Sequence, residues 1–511
     1  MRFESYWVFV FAVGLLSFGT VSAHHREDTV WTSRFDGGGD DFPKGCVLDA
    51  QDNLLVTGYS AGAGTGTGFD FLTVKYGSTG NIIWSRRFNG PGNGDDFASG
   101  LAIDTAGYIY VAGQSYTGSA TGLDISLLKY SPAGQILWQR TYGAPGNGPE
   151  EARGVALDLS GNIYITGTSQ NDFVTLKFLP NGDTAWVRRF GDTGIDGSVG
   201  LAVDGSGNVY VGGTVNYGGS TADFAVIKYS PNGDPLWNQN YDGPDGLADE
   251  ATALVVDRQN RALISGSSMG NGSGMDFALA VFDSAGNFLW DFRYNGPGNS
   301  TDLVLSLAVD DSGFAQLAGQ SMGAGSGPDF AAMRLTPNGD TVWCQRYNGP
   351  ANSADAAYAA AIDKAGRIYG GGPSVQDGTD FDFIAFRHHP DGRELWNEHY
   401  GGSAGGNDII RTVEADDSGY VFAVGESFGT GGNYDYIAVK FAPCLSMQGD
   451  MNEDGVYTPS DVVLHLQRVF LGFGGSTVCM ADLNCDGSLT PADVVGLLRT
   501  VFQGLPTPCL K

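Results

Sequence analysis

Three observations predict a mainly β chain folded as an eight-bladed propeller. Tryptophan recurs as Trp31, Trp84, Trp138, Trp186, Trp237, Trp290, Trp343 and Trp396, at intervals of 48 to 54 residues, and an aromatic follows each four residues later. Each unit holds four short β-rich runs separated by turn residues, the size of one propeller blade. No helix-length periodic run interrupts the array, which argues against an α/β fold.

The segment from Ala98 to Tyr142 serves as a template: "ASGLAID", "GYIYVAGQS", "LDISLLKYSPAG" and "QILWQRTY". The first run ends on an aspartate in every unit (Asp49, Asp104, Asp158, Asp204, Asp257, Asp310, Asp363, Asp416), and the third begins on one (Asp70 to Asp435). Links such as "SPNGD" and "LPNGD" join the third and fourth runs. Proline presets φ there and glycine accepts φ > 0, as a tight hairpin requires. The array opens with a Trp run (30–35) and closes on a third-type run (434–441). With the "LAID" run innermost and the Trp run outermost, the last blade lacks its outer strand. The N-terminal run can supply it, closing the ring and protecting its open edges. A seven-bladed ring with one divergent unit is the alternative.

The array resembles the bacterial secreted β-propeller repeat family, whose units read roughly "VAVDxxGNVYVTGxT…DxxVxKYxxxGxxxW". "LAVDGSGNVYVGGTV" and "DFAVIKYSPNGDPLW" carry the match, and it covers about 30–442. The resemblance implies a secreted or surface-exposed propeller and assigns no activity.

The remaining organisation follows from composition. Arg2, an apolar run over 7–21 and Val21-Ser22-Ala23 read as a signal peptide over 1–23, so export is expected and disulfides are permitted. Expected segments are the propeller (24–442), a linker (443–448) and a C-terminal module (449–511). The formal net charge is −29, with 57 acidic against 28 basic residues. Such a surface repels nucleic acid and anionic lipid. No membrane span is expected in the mature chain.

The module carries two loops, "DMNEDGVYTPSD" and "DLNCDGSLTPAD". Oxygen donors alternate in each, with glycine at position 6 for the sharp turn, which suits a hard Ca²⁺ ion. The expected ligands of two calcium ions are Asp450, Asn452, Asp454, Val456 (through its carbonyl), Thr458 and Asp461, then Asp482, Asn484, Asp486, Ser488 (carbonyl), Thr490 and Asp493. Each loop runs into a helix with an apolar face: Val462, Val463, Leu466, Val469 and Phe470, then Val494, Val495, Leu498, Val501 and Phe502. This EF-hand-like pair resembles a type I dockerin, which implies a cohesin-like partner and mounting on an extracellular scaffold. Positions 10 and 11 of the loops are Pro459-Ser460 and Pro491-Ala492, not the Ser-Thr common in cellulosomes. Of three connectivities open to Cys444, Cys479, Cys485 and Cys509, Cys444–Cys509 with Cys479–Cys485 is chosen. Cys46 and Cys344 are expected as buried free thiols.

Candidate sites in the propeller divide by whether they follow the repeat. The G-x-S-x-G serines Ser60, Ser268, Ser321 and Ser427 recur in register, without the strand–turn–helix context of a nucleophile, and no catalytic residue is assigned. His388 and His389 are read as solvated turn residues. The acidic residues before each innermost strand (Asp41, Asp96, Glu151, Asp196, Glu250, Asp302, Asp355, Asp408) are candidates to ring the channel mouth and bind a cation or polyol. The third unit replaces a long loop with Ser169 to Asp172, which predicts a cleft on that face. The expected function is non-catalytic binding or adhesion, of carbohydrate or another surface ligand, by a secreted or cell-surface-associated protein. A polysaccharide-active hydrolase or lyase and a purely structural surface component are the alternatives.

Overall fold

The structure, a computed structural model, describes residues 29–442 except 63–67, 119–121, 145–147, 192–193, 364–365, 376–379, 393, 403–404 and 417, and then residues 459, 462, 463, 466, 494, 495, 497, 498 and 501. The propeller residues form eight four-stranded antiparallel sheets. Blade 8 borrows β1 (Thr29–Phe35). Blade 1 is β2 to β5 (Asp41–Leu48, Leu54–Ala61, Phe69–Tyr76, Ile82–Phe88), and blade 2 is β6 to β9 (Asp96–Ile103, Ile109–Gly118, Gly122–Tyr130, Ile136–Tyr142). Blade 3 is β10 to β13 (Glu150–Leu157, Ile163–Ser169, Asp172–Phe178, Thr184–Phe190), and blade 4 is β14 to β17 (Gly197–Val203, Val209–Val215, Asp223–Tyr229, Pro235–Tyr241). Blade 5 is β18 to β21 (Asp249–Val256, Ala262–Gly270, Gly274–Phe282, Phe288–Tyr294), and blade 6 is β22 to β25 (Asp302–Val309, Ala315–Met322, Pro328–Leu335, Thr341–Tyr347). Blade 7 is β26 to β29 (Ala359–Ile362, Ile368–Val375, Phe381–His388, Glu394–Tyr400), and blade 8 is β30 to β32 (Asp408–Ala415, Val421–Phe428, Tyr434–Phe441) with β1 outermost.

The first strand of each blade packs against the first strands of its neighbours, so these strands line the axis. The ring closes where β2 meets β30. Closure is by mixed termini: β1 pairs antiparallel with β32, Arg34 opposite Ile437 and Phe35 opposite Tyr436.

Burial explains the run types. The second and third strands are covered on both faces by adjacent blades, so β3 and β4 are buried almost throughout, and their sequences are near-continuous apolar runs. The outer strands are half covered; Ile82 and Ile83 face solvent while Trp84 turns in. The tryptophans join blade to blade. In Trp31, Trp84, Trp186, Trp237, Trp290 and Trp343 the indole N–H donates to a carbonyl in the outer turn of the next blade, at 3.0 to 3.2 Å. The glycine of that turn lies under the ring: at Gly80, φ 82°, an added Cβ would sit 2.8 Å from the Trp31 indole.

The recurring aspartates are structural as well. Asp49 accepts the Gln51 and Asn53 amides at 2.9 and 3.0 Å, closing an Asx turn after the first strand, and pairs with Lys75 at 2.8 Å. In seven blades the first strand carries a β-bulge. The extra residue is Lys44, Ser99, Arg153, Val199, Thr252, Leu305 or Arg411. Bulges re-aim side chains without breaking the sheet, and here they do so on the axial strands.

Candidate functional site

The acidic residues before the innermost strands do not ring the channel mouth. Asp41, Asp96, Asp196 and Asp302 are fully buried, and Asp355 and Asp408 nearly so. In blades 3 and 5 the buried residue is the neighbour of the one expected: Glu150 rather than Glu151, Asp249 rather than Glu250. Each such carboxylate turns into its own blade. Asp41 accepts the Gly37 amide at 2.6 Å and the Ser60 hydroxyl, and Arg87 reaches that hydroxyl at 2.6 Å. Asp96 accepts the amides of Gly90 and Tyr116. Burial pushes Asp41 up to about 7 and Asp96 to about 6. The G-x-S-x-G serines belong to this belt: Ser60, Ser268, Ser321 and Ser427 are all fully buried, and Arg34 and Arg346 donate to Ser427 and Ser321.

The open site lies where the repeat is broken. In blade 3, Ser169 pairs directly with Asp172, leaving a two-residue turn. Gln170 (φ 53°) and Asn171 (φ 68°) both take the left-handed conformation of a type I′ turn, which asparagine tolerates. Beside this low turn a cleft of about 550 Å³ opens between blades 3, 4 and 5. The turn is anchored from below: Arg189 donates to the Gln170 side chain at 3.3 Å and to the Ser169 hydroxyl. The cleft floor is tied together by backbone bonds. Asp196 donates its amide to the Asn171 carbonyl and accepts the Asn216 amide at 2.8 Å; the Tyr217 amide donates to the Ile195 carbonyl. Ala251 of β18 donates its amide to Thr214 Oγ1 at 2.8 Å, holding the blade 5 wall against blade 4.

The rim is mixed in character. Tyr217 and Ile195 are about half exposed, at 52% and 53%, and present apolar surface to the cleft. Glu151 and Arg153 form an exposed ion pair at 2.7 Å on the opposite side. Thr252 and Arg153 are bulge residues of their strands. Tyr217, Ile195 and Arg153 were not singled out from sequence. Their signal is that they occupy positions where units differ, beside the shortened loop.

The histidine expectation needs correction. His388 is buried, 4% exposed, at the end of β28, where it stacks on Trp343 with ring centroids 5.4 Å apart. Burial lowers it to about 4, so it is neutral and serves as packing. His389 lies in the turn and pairs with Asp391 at 2.9 Å. Cys46 is a buried free thiol as expected, but Cys344 is exposed, because the residue after the inward-facing Trp343 turns outward on a strand.

All twelve expected calcium ligands and the four C-terminal cysteines lie outside the described residues. The described module residues are helical. Val462, Val494 and Leu497 are buried, Val462 and Leu497 sharing one cluster. Val463, Leu466, Val495 and Leu498 are exposed, which corrects the apolar face assigned to them and places Leu497, not Leu498, inward. Among the described residues no helix is long and apolar enough to cross a membrane.

The chain shows likeness to several known proteins. The model of the beta-propeller repeat family matches residues 83–118, 142–173 and 185–216. An uncharacterised WD repeat-containing protein of Acanthamoeba polyphaga mimivirus is 23% identical over 297 residues, which is 50% of this chain but only 20% of that protein. Among solved structures, the polysaccharide lyase Uly1 is similar with a TM-score of 0.42 and 11% identity, over 81% of this chain and 99% of its own. Extracellular domains 1-2 of Drosophila Semaphorin 1b give a TM-score of 0.38 and 10% identity, over 81% and 87%. A protein from Lactobacillus plantarum gives 0.39 and 15%, over 64% and 94%. The matched units are similar to the beta-propeller repeat family, and the ring they belong to is an eight-bladed β-propeller.

Proposed function

We propose that this protein is an exported, non-catalytic binding propeller. Its ligand, a carbohydrate chain, seats in the cleft between blades 3, 4 and 5. A C-terminal calcium-dependent, dockerin-like module mounts it on an extracellular partner. The observation that carries the reading is the coincidence of the two-residue turn between Ser169 and Asp172 with the cleft of about 550 Å³. Binding sites combine apolar surface with a few fixed polar groups. Here Tyr217 offers a ring face, while Asn171, Gln170, Thr252 and the Glu151–Arg153 pair offer donors and acceptors to hydroxyls. Tyr217 is half exposed and outside the blade-to-blade packing, so its apolar ring is available to stack. In the buried belt, Asp41, Asp96, Glu150 and Asp302 accept internal hydrogen bonds, which leaves them unsuited to general acid–base work on a polymer.

For the mount, the exposed Val463 and Leu466 recur as exposed Val495 and Leu498 in the second helix, giving two equivalent apolar patches for a protein partner. The proposed calcium ligands, from Asp450 to Asp461 and from Asp482 to Asp493, immediately precede those helices in sequence.

A glycan array on the mature protein, followed by titration of any hit against Tyr217→Ala, tests the reading. A hit weakened about tenfold or more by the variant, roughly the 1–2 kcal/mol of one aromatic contact, supports the cleft. Binding unaffected by Tyr217→Ala removes the cleft assignment. Sugar fragments released during incubation overturn the non-catalytic part.

A further inference from the structure

The β-bulges give each axial strand one re-aimed side chain, and in three blades it is a cation: Lys44 in blade 1, Arg153 in blade 3 and Arg411 in blade 8. Beside each bulge the first two strands of the blade present a cross-strand pair at the loop face. It is Phe42–Tyr59 in blade 1, Glu151–Thr168 in blade 3 and Ile409–Glu426 in blade 8. Of the seven bulged blades, only blade 1 places a ring on both strands there.

The other two cations are answered from these positions. Arg153 pairs with Glu151 at 2.7 Å. Arg411 donates from Nε to both carboxylate oxygens of Glu426, at 2.9 and 3.0 Å. In blade 1 both positions that supply those carboxylates hold rings, and Lys44 Nζ lies 5.4 Å from the centroid of Tyr59. Among the described residues Lys44 has no ion-pair partner, and it is solvent-exposed. Partial desolvation by the walls of the mouth, then the charges of Arg411 and Arg153, lower its ammonium pKa. An anion seated there relieves that crowding.

The rings beside Lys44 form one wall. Tyr59 meets Phe42, Phe69 and Phe97 at centroid separations of 5.5, 5.3 and 5.0 Å, and Phe42 reaches Tyr434 of blade 8 at 5.9 Å. All five are partly exposed, and none belongs to the hydrophobic clusters between the blades. They break the repeat, as Lys44 does, so blade packing does not account for them.

We propose that Lys44 and this aromatic wall bind an acidic sugar: the carboxylate of a uronic-acid unit pairs with Lys44, and the apolar face of its ring lies on the Phe42–Tyr59–Phe97 surface. A neutral sugar leaves the ammonium without a counter-charge. An acidic peptide carries its carboxylate on a flexible stem and brings no flat apolar face. A uronic acid carries both in one rigid unit. The net charge of −29 does not forbid this. At physiological ionic strength charges more than about 8 Å away are largely screened, and the nearby Glu151 and Glu426 are already paired. The inference rests on the carbohydrate reading but not on the cleft, since the wall stands on blades 8, 1 and 2. Arg153 lines the cleft as well, so one chain can run from one surface to the other.

The test is isothermal titration of the full chain with oligomers of galacturonate, mannuronate and glucuronate, each beside its methyl ester, and with polyglutamate. The ratio of acid to ester affinity is the readout, so a loss at the cleft lowers both and leaves it unchanged. At least one free acid is expected to bind more tightly than its ester. Lys44→Gln, at an exposed position, is expected to weaken the free acid about tenfold, the order of one charge-assisted hydrogen bond, and to leave the ester unchanged; Lys44→Arg is expected to restore most of the loss. An acid-to-ester ratio unchanged in Lys44→Gln overturns the site while the carbohydrate reading stands. Polyglutamate bound as tightly as the best uronate overturns the sugar assignment. Absence of binding by every sugar, acidic or neutral, overturns both.

Discussion

Replacing Trp31 by alanine tests whether the ring is closed by its first strand. The indole is 9% exposed, wedged on the blade 1 turn and within ring contact of Tyr76 and Phe422. A tryptophan removes roughly 200–250 Å² from water, worth about 5–6 kcal/mol at about 25 cal/mol per Å². Residual burial in the unfolded chain and the methyl that alanine keeps reduce this to about 3–4 kcal/mol. Loss of the 3.0 Å bond from the indole to the Ser78 carbonyl adds about 1 kcal/mol. Trp31→Ala is therefore expected to cost about 4 kcal/mol in urea unfolding followed by far-ultraviolet circular dichroism. Trp186→Ala is the internal control: the same position in mid-array, 8% exposed, with an equivalent 3.1 Å bond. Equal losses are the signature of a ring without a weak seam. A Trp31→Ala cost below about 1 kcal/mol, beside a full cost for Trp186→Ala, would refute closure by β1.

Two further outcomes are expected. Burial raises Asp96 to about 6, above its ordinary 3.8, so the folded chain holds that proton more tightly than the unfolded one. Its contribution to stability is full below about pH 4 and declines as pH rises through 6; Asp96→Asn should flatten that part of the stability–pH curve, and identical slopes in both proteins would count against the burial argument. Chelation of calcium should make the segment after 442 protease-sensitive while the propeller stays resistant, because loops rich in carboxylates repel themselves without the ion; a module equally resistant with and without chelator would remove the calcium-loop assignment.

Much of the fold was legible because recurring residues do the same local job in unit after unit. Proline-glycine turns, Asx-turn aspartates and Trp–turn wedges act over a few residues or between adjacent units, and their periodicity showed through. The candidate site was half legible: the shortened loop at Ser169–Asp172 marked the cleft, but Tyr217 and Ile195 gave no periodic signal. The acidic loop residues were misread because polarity suggested solvent. A carboxylate that accepts amide and hydroxyl hydrogen bonds, as Asp41 and Asp96 do, can be fully buried. The one-residue slip at Glu150/Glu151 and Asp249/Glu250 has the same origin. Two adjacent acids point to opposite faces of a strand, and only pairing register decides which turns in.

The pairing of β1 with β32 joins residues some 400 positions apart, as in Arg34 with Asp435. During synthesis the first strand emerges early and its partner last, so it waits unpaired while seven blades assemble beside it. The order of folding is thus imposed by connectivity: blades accrete locally, and the latch shuts at the end. At high concentration the vacant edge of β32 in one chain accepts β1 of another as readily as its own. Dilution during refolding therefore favours single closed rings, and crowding favours strand-exchanged chains.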